Sequence, residues 1–275
     1  MFRHSWTQAL FTGESLEAGL GRLQRIGYDG VELPVLPQPV ADVRAALARH
    51  RLDCYSVNGS FIGKGRDLSS ADETERTAAV AYVGGCLRYA ASVGATVAVI
   101  VPTCIGKMRP DGSLDAEWDR VVRSLREIGL QGAACGVTAV IECVHRGESY
   151  LANRLETGRR LVEAAGSKHV RLMADSFHMN IEEQDLDAAL EAAAPFLHHV
   201  HLADNNRAAP GMGHLDLGRF VATLARTGYR GPLTMECDVQ APDAYSRMAP
   251  SQSPADFDRY AEVALSTLRD IESRL

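Results

Sequence analysis

VTAVIEC (Val137–Cys143), VRLMAD (Val170–Asp175), HHVHL (His198–Leu202) and LTMEC (Leu233–Cys237) are four short apolar runs. Each carries a metal-capable side chain at or near its end: Glu142, Asp175, His201 and Glu236. Consecutive members lie roughly 30 residues apart, the length of one strand-plus-helix unit when some 250 residues make eight such units. Side chains at the carboxyl ends of successive parallel strands converge at the mouth of a barrel. The spacing therefore predicts an α/β chain folded as a (β/α)8 barrel, with a divalent cation held at that mouth.

The rest of the chain keeps the same alternation. Strands are predicted near Phe2–Ala9, at Gly30–Leu33, Leu52–Val57 and Thr96–Val101, then over the four runs above. Helical spacing covers Leu16–Ile26, Val40–His50, Ala71–Ser92, Leu114–Ala134, Thr157–Ala165, Asp185–Ala194, Asp216–Thr227 and Pro254–Arg274. Without a glycine-rich phosphate fingerprint, eight alternations favour a closed barrel over a doubly wound sheet. A faint repeat, Ile26-Gly-Tyr-Asp-Gly30 and Thr227-Gly-Tyr-Arg-Gly231, reads as two bottom loops in which a helix stops at Gly and a strand follows. No linker or charge block interrupts residues 1–275, so one barrel domain is expected.

Composition narrows the function. The 275 residues carry a net charge of −6 and a pI near 5.9, which argues against nucleic acid because phosphate neutralisation needs a basic footprint. The six cysteines show no CxxC pairing and mostly sit beside apolar runs, as buried reduced thiols do. The start, MFRHSWTQALF, has no long apolar core, and no run reaches membrane-spanning length. A cytoplasmic protein with a small-molecule substrate and no membrane partner is expected.

Three carboxylates and one imidazole form a hard, oxygen-rich ligand set, suited to Mn²⁺, Mg²⁺ or Co²⁺, with Zn²⁺ also able to bind. An isolated strand-end carboxylate is usually a solvated loop residue and a lone His usually a satisfied core residue. Four at the same strand position on successive strands are hard to explain that way. Glu32, in DGVEL, also ends a strand at the mouth but is expected to support the site rather than ligate. Pro210-Gly-Met-Gly213 reads as a turn that would let a lid fold over the site, and Asp216 as the cap of the next helix.

The stretches ECVHRGESYLANRLETG, LMADSFHMNIEE, HVHLADNNRAAPGMGHLDL and TGYRGPLTMEC resemble the xylose-isomerase-like TIM barrels. Within them they are most similar to the ketose 3-epimerases of the D-tagatose/D-psicose type. The resemblance implies that Glu142, Asp175, His201 and Glu236 bind Mn²⁺ or a similar ion. It also implies that Glu142 and Glu236 act as bases on opposite faces of the substrate, and that Glu148, His178 and Arg207 contact it. A homo-oligomer is expected, because related barrels commonly pair.

Two departures bear on the reaction. The epimerase motif Glu-x-x-Asn-Arg-x-Glu stands here as Glu142-Cys-Val-His145-Arg-Gly-Glu148, which places a titratable imidazole near the site. The loop PTCIGKMRPDGS lacks the aromatic residues that many epimerases hold over the sugar. Both features direct attention to the catalytic α subunit of the C-glycoside deglycosidases. These lyases cleave 3-oxo-C-glycosides with a metal and a nearby histidine, beside a small β-rich subunit, so His145 is the candidate general base of that alternative. An abasic-site nuclease would need a larger, His-rich zinc set, and a non-catalytic sugar-binding barrel would not need both glutamates. Beyond Arg146 and Arg207 there is no basic cluster for a phosphate clamp, so a neutral sugar is preferred.

Overall fold

Every predicted strand is present and pairs with its neighbours in sequence, so the sheet closes on itself. The computed structural model describes residues 1–8, 11, 13–59, 65–239 and 253–275. The strands are β1 (His4–Thr7), β2 (Gly30–Pro34), β3 (Asp53–Asn58), β4 (Val97–Ile100), β5 (Thr138–Ile141), β6 (Val170–Asp175), β7 (Leu197–Leu202) and β8 (Leu233–Met235). All pairings are parallel, and closure comes at β1, where Ser5 stands opposite both Gly30 of β2 and Thr234 of β8. The first strand is shorter than the predicted Phe2–Ala9, and Ala9 lies outside the described residues.

The helices are α1 (Leu16–Ile26), α2 (Val40–His50), α3 (Glu73–Val93), α4 (Leu114–Cys135), α5 (Leu155–Ala165), α6 (Ser176–Glu182), α7 (Leu186–Ala193), α8 (Leu217–Arg226) and α9 (Pro254–Glu272). Ser15, Asp72, Ser113, Asp185 and Asp216 each cap a helix by accepting a backbone N–H two or three residues on. Periodicity does not predict α6. It exists because the Asp175 side chain accepts the N–H groups of Phe177 and His178, so a strand-end carboxylate also starts a helix. The Gly-Tyr repeat closes bottom loops as expected. Gly27 and Gly228 take left-handed φ of 99° and 83°, and the tyrosines that follow are buried with their hydroxyls on Ala261 O and Pro232 O.

Strand alternation separates two environments. Ala98, Ile100, Ala139, Ile141, Leu172 and Ala174 belong to the large apolar core, whereas Val97, Val99, Val140 and Met173 form a separate small cluster. We assign that second cluster to the barrel interior, since it comes from alternating positions on adjacent strands. Across from it the interior is polar. Glu32 of β2, Ser56 of β3 and His199 and His201 of β7 are completely buried and bond to one another across the barrel. One half of the interior is thus an apolar plug and the other carries the buried charge. Among the described residues, no helix is long and apolar enough to cross a membrane.

Close packing at the bottom of the barrel is testable. A Cβ added at Gly30 would lie 2.5 Å from the Asp53 carbonyl oxygen and strike the Tyr55 ring. Gly30→Ala is expected to destabilise by about 1–3 kcal/mol through overpacking, measured by denaturant unfolding. A change under about 0.5 kcal/mol would contradict it.

Candidate metal centre

Glu142 and Glu236 each sit just beyond a strand, yet their N–H groups continue the ladder, donating to Ile100 O at 2.8 Å and Leu202 O at 3.0 Å. Asp175 closes β6 opposite His201 on β7. These four residues bring one donor atom each to within 4.8 Å of one another, and all but Glu236 are buried. His201 faces the group with Nδ1, 2.9 Å from Glu236 Oε2 and 3.6 Å from Glu142 Oε1. Two like charges about 4 Å apart repel by about 4 kcal/mol at an effective dielectric near 20. Three carboxylates cannot share this space as anions without cations beside them. The donor set of three carboxylates and an imidazole, gathered at one buried point, fits a divalent cation.

Side-chain cations already answer part of that charge. Arg207 donates from Nη1 to Asp175 Oδ2 at 2.8 Å and from Nη2 to Glu236 Oε2 at 2.7 Å. Burial alone would raise all three acids. Arg207, with His178 and His201, holds Asp175 down at about 2, while His201 and Arg207 hold Glu236 below its usual range. Glu142 faces His201, yet burial followed by the charge of Glu236 pushes it up. His201, despite burial, is pushed well above its ordinary value by Glu32 and Glu236.

His178 and His145 line the side of this cluster. His145 N–H donates to His178 Nδ1 at 3.2 Å, so the His178 proton resides on Nε2, 3.9 Å from both Glu142 Oε1 and Asp175 Oδ2. Burial lowers His178 to about 4, leaving a neutral ring that presents a donor to the site. His145 is differently employed. Its Nδ1 accepts the Gly147 N–H at 3.0 Å, and its Nε2 lies 3.2 Å from Glu148 Oε1. Both ring nitrogens are engaged within their own turn, so this geometry presents no free lone pair of His145 to the quartet.

The loops holding these groups are fastened together. Gly106 N–H donates to Glu148 O at 2.7 Å and Tyr150 N–H to Lys107 O at 3.1 Å, which ties the loop after β5 to the loop after β4. Lys107 in turn pairs with Asp67, Asp111 and Glu117. Among the described residues, Arg146 pairs with Glu182 of α6. The turn at Pro210–Gly213 is no free lid. Buried Asp204 accepts the N–H groups of Gly211 and Leu215, which pins the arch from which Arg207, at a left-handed φ of 61°, reaches inward.

Sequence reasoning missed two residues here. Asn58 ends β3 and donates to Glu236 Oε1 at 3.3 Å, and the same strand-end position could have revealed it. Phe177 lies between Asp175 and His178, with the Arg207 guanidinium 4.8 Å from its ring centre and His145 edge-on at 5.6 Å. An aromatic side chain therefore stands beside the cluster, supplied from the start of α6 rather than by the loop after β4.

Residues 20–255 match the xylose isomerase-like TIM barrel family, and the chain belongs to it. A 3-dehydro-D-guloside 4-epimerase of Escherichia coli K12 is 30% identical over 252 residues, 86% of this chain and 92% of that one. An L-ribulose 3-epimerase of Mesorhizobium japonicum is 27% identical over 237 residues, 85% and 79% of the two chains. The crystal structure of D-psicose 3-epimerase with D-tagatose from Clostridium cellulolyticum H10 superposes with a TM-score of 0.88 at 24% identity, covering 98% of this chain and 99% of that one, a likeness of fold. The relatives of this chain are sugar epimerases.

Metal uptake should be linked to protons. Without metal, His201 and Glu142 are both shifted towards the protonated form, and ligation requires both deprotonated. Binding of a divalent cation is therefore expected to release protons and to weaken as pH falls, by roughly tenfold per pH unit for each proton released. Calorimetric titration in two buffers of different ionisation enthalpy measures the release. Affinity that is flat between pH 6 and 8 would contradict it.

Proposed function

We propose that this chain is a divalent-metal-dependent sugar epimerase that inverts the carbon next to a keto group. The observation that carries the reading is the quartet, in which two glutamates just beyond β5 and β8 bring donor atoms to within 4.8 Å of each other and of Asp175 and His201. The two relatives named above have names that describe inversion beside a carbonyl: C4 of a 3-dehydro sugar, and C3 of a ketose. Glu142, Asp175, His201 and Glu236 are the proposed ligands. Mn²⁺ is the preferred ion from the oxygen-rich donor set, with Co²⁺, Mg²⁺ or Zn²⁺ as substitutes. When bound, the cation would draw electron density from the keto oxygen and make the neighbouring C–H more acidic.

The residues divide the remaining work. Glu142 and Glu236 exchange the proton, one removing it from one face of the sugar and the other returning it to the opposite face. His178 donates from Nε2 to a substrate oxygen. Arg207 and Glu148 orient hydroxyl groups. The substrate is a small neutral keto-sugar, either a free ketose or a 3-oxo-glycoside, taken by a single barrel domain that assembles as a homo-oligomer. The deglycosidase alternative is not favoured, since it asks His145 for a lone pair that Gly147 already engages.

The test is isotopic. Mn²⁺-loaded protein incubated in D₂O with a panel of ketohexoses and 3-oxo-glycosides should place deuterium at the inverted carbon of at least one substrate. Glu142→Gln and Glu236→Gln should each lower turnover by roughly 10²–10⁴-fold. No exchange across the panel would sink the proposal. Cleavage of a 3-oxo-C-glycoside that is lost in His145→Ala with metal retained would favour the lyase instead.

A further inference from the structure

His201 belongs to two metal-capable groups at once, through opposite nitrogens. With Nδ1 it faces Glu142, Asp175 and Glu236; with Nε2 it faces Glu32 at 3.0 Å, beside His199. The two groups differ in kind. The quartet has three carboxylates and opens to solvent at Glu236, whereas the second has one carboxylate, and its three members are completely buried. Glu32 Oε2 there accepts the Ser56 hydroxyl at 2.7 Å and lies 3.4 Å from His199 Nε2.

We infer that Glu32 is a positioning residue for the metal centre, holding the His201 proton on Nε2 so that the Nδ1 lone pair faces the ion. The inference rests on the metal reading of the quartet. An imidazole that ligates through Nδ1 must carry its proton on Nε2, and a buried carboxylate at that nitrogen selects this tautomer and fixes the ring plane. Ser56 holds Glu32 in place from β3. Asn58 extends the support, with Nδ2 3.5 Å from Glu32 Oε1 and 3.3 Å from Glu236 Oε1. Glu32, His201, Glu236 and Asn58 thereby form a closed ring of neighbours, in which the His201 Nδ1–Glu236 edge, 2.9 Å across, is where two donors face the proposed ion and the other three edges are polar contacts. The ring couples the orientation of an imidazole ligand to that of a carboxylate that also handles the proton. Glu32 touches neither ion nor sugar, so its effect passes through His201 and Asn58.

The test compares wild type, Glu32→Gln and Glu32→Ala in the full chain, stripped of metal and titrated with Mn²⁺. Wild type should bind one Mn²⁺ per chain. Glu32→Ala should weaken binding by roughly 10–100-fold. Glu32→Gln keeps an oxygen that can accept from Nε2 and should fall between the two, which also carries the test if the alanine variant does not fold. A purely structural role would not move a second readout, the ¹⁵N resonances of the Zn²⁺-loaded protein. In wild type and Glu32→Gln, His201 should show a single Nε2–H tautomer with Nε2 hydrogen-bonded; in Glu32→Ala that hydrogen-bond shift should be lost. Equal Mn²⁺ affinity with an unchanged His201 signal in Glu32→Ala would overturn the inference while leaving the metal reading intact. Two Mn²⁺ per wild-type chain, reduced to one by Glu32→Ala, would make Glu32 a ligand and overturn it as well. Wild type that binds no Mn²⁺ would overturn the metal reading itself.

Discussion

Three carboxylates meeting in a buried space are the constraint around which this barrel is organised. Glu142, Asp175 and Glu236 each lose water on folding, and each repels the other two. Such a cluster survives only with positive charge inside it. His201 and Arg207 provide some, and the donor set they face could hold a divalent cation that supplies the rest. The polar half of the interior follows from the same need. Glu32, Ser56 and His199 lie beneath His201, where an all-apolar core would leave its second nitrogen without a partner.

Support for the site comes in layers with distinct tasks. The strands set how far each of the four side chains projects, since Glu142 and Glu236 remain hydrogen-bonded to neighbouring strands after the regular sheet ends. Asp175 serves twice, with Oδ1 on the first N–H groups of α6 and Oδ2 on Arg207. Because α6 begins there, His178 and Phe177 are delivered to the same side of the cluster. Asp204 then holds the arch that lets Arg207 lie against Phe177 and reach the carboxylates of Asp175 and Glu236. A loop that looked from its glycines like a lid is instead a fixed bracket.

The architecture was readable in the sequence because its signals are local and repeat. Apolar runs, capping residues and glycine stops recur at the unit length, and the quartet falls at one position within that unit. What escaped notice depends on contacts between distant segments. Asn58 occupies the same strand-end position, but an amide is not a metal ligand and drew no attention. The helix α6 is too short for periodicity and owes its start to one side chain. His145 was identified by its chemistry, yet its direction depends on the Gly147 turn, which the composition of the motif does not reveal. The fastening of Lys107 to Asp67 and Glu117 spans three segments and leaves no local pattern.

Anomalous diffraction from crystals of the Mn²⁺-loaded protein tests the central claim most directly. One strong peak is expected in direct contact with carboxylate oxygens of Glu142, Asp175 and Glu236 and with His201 Nδ1. Absence of a peak at that point, or a peak between Glu32, His199 and His201 Nε2 instead, would contradict it.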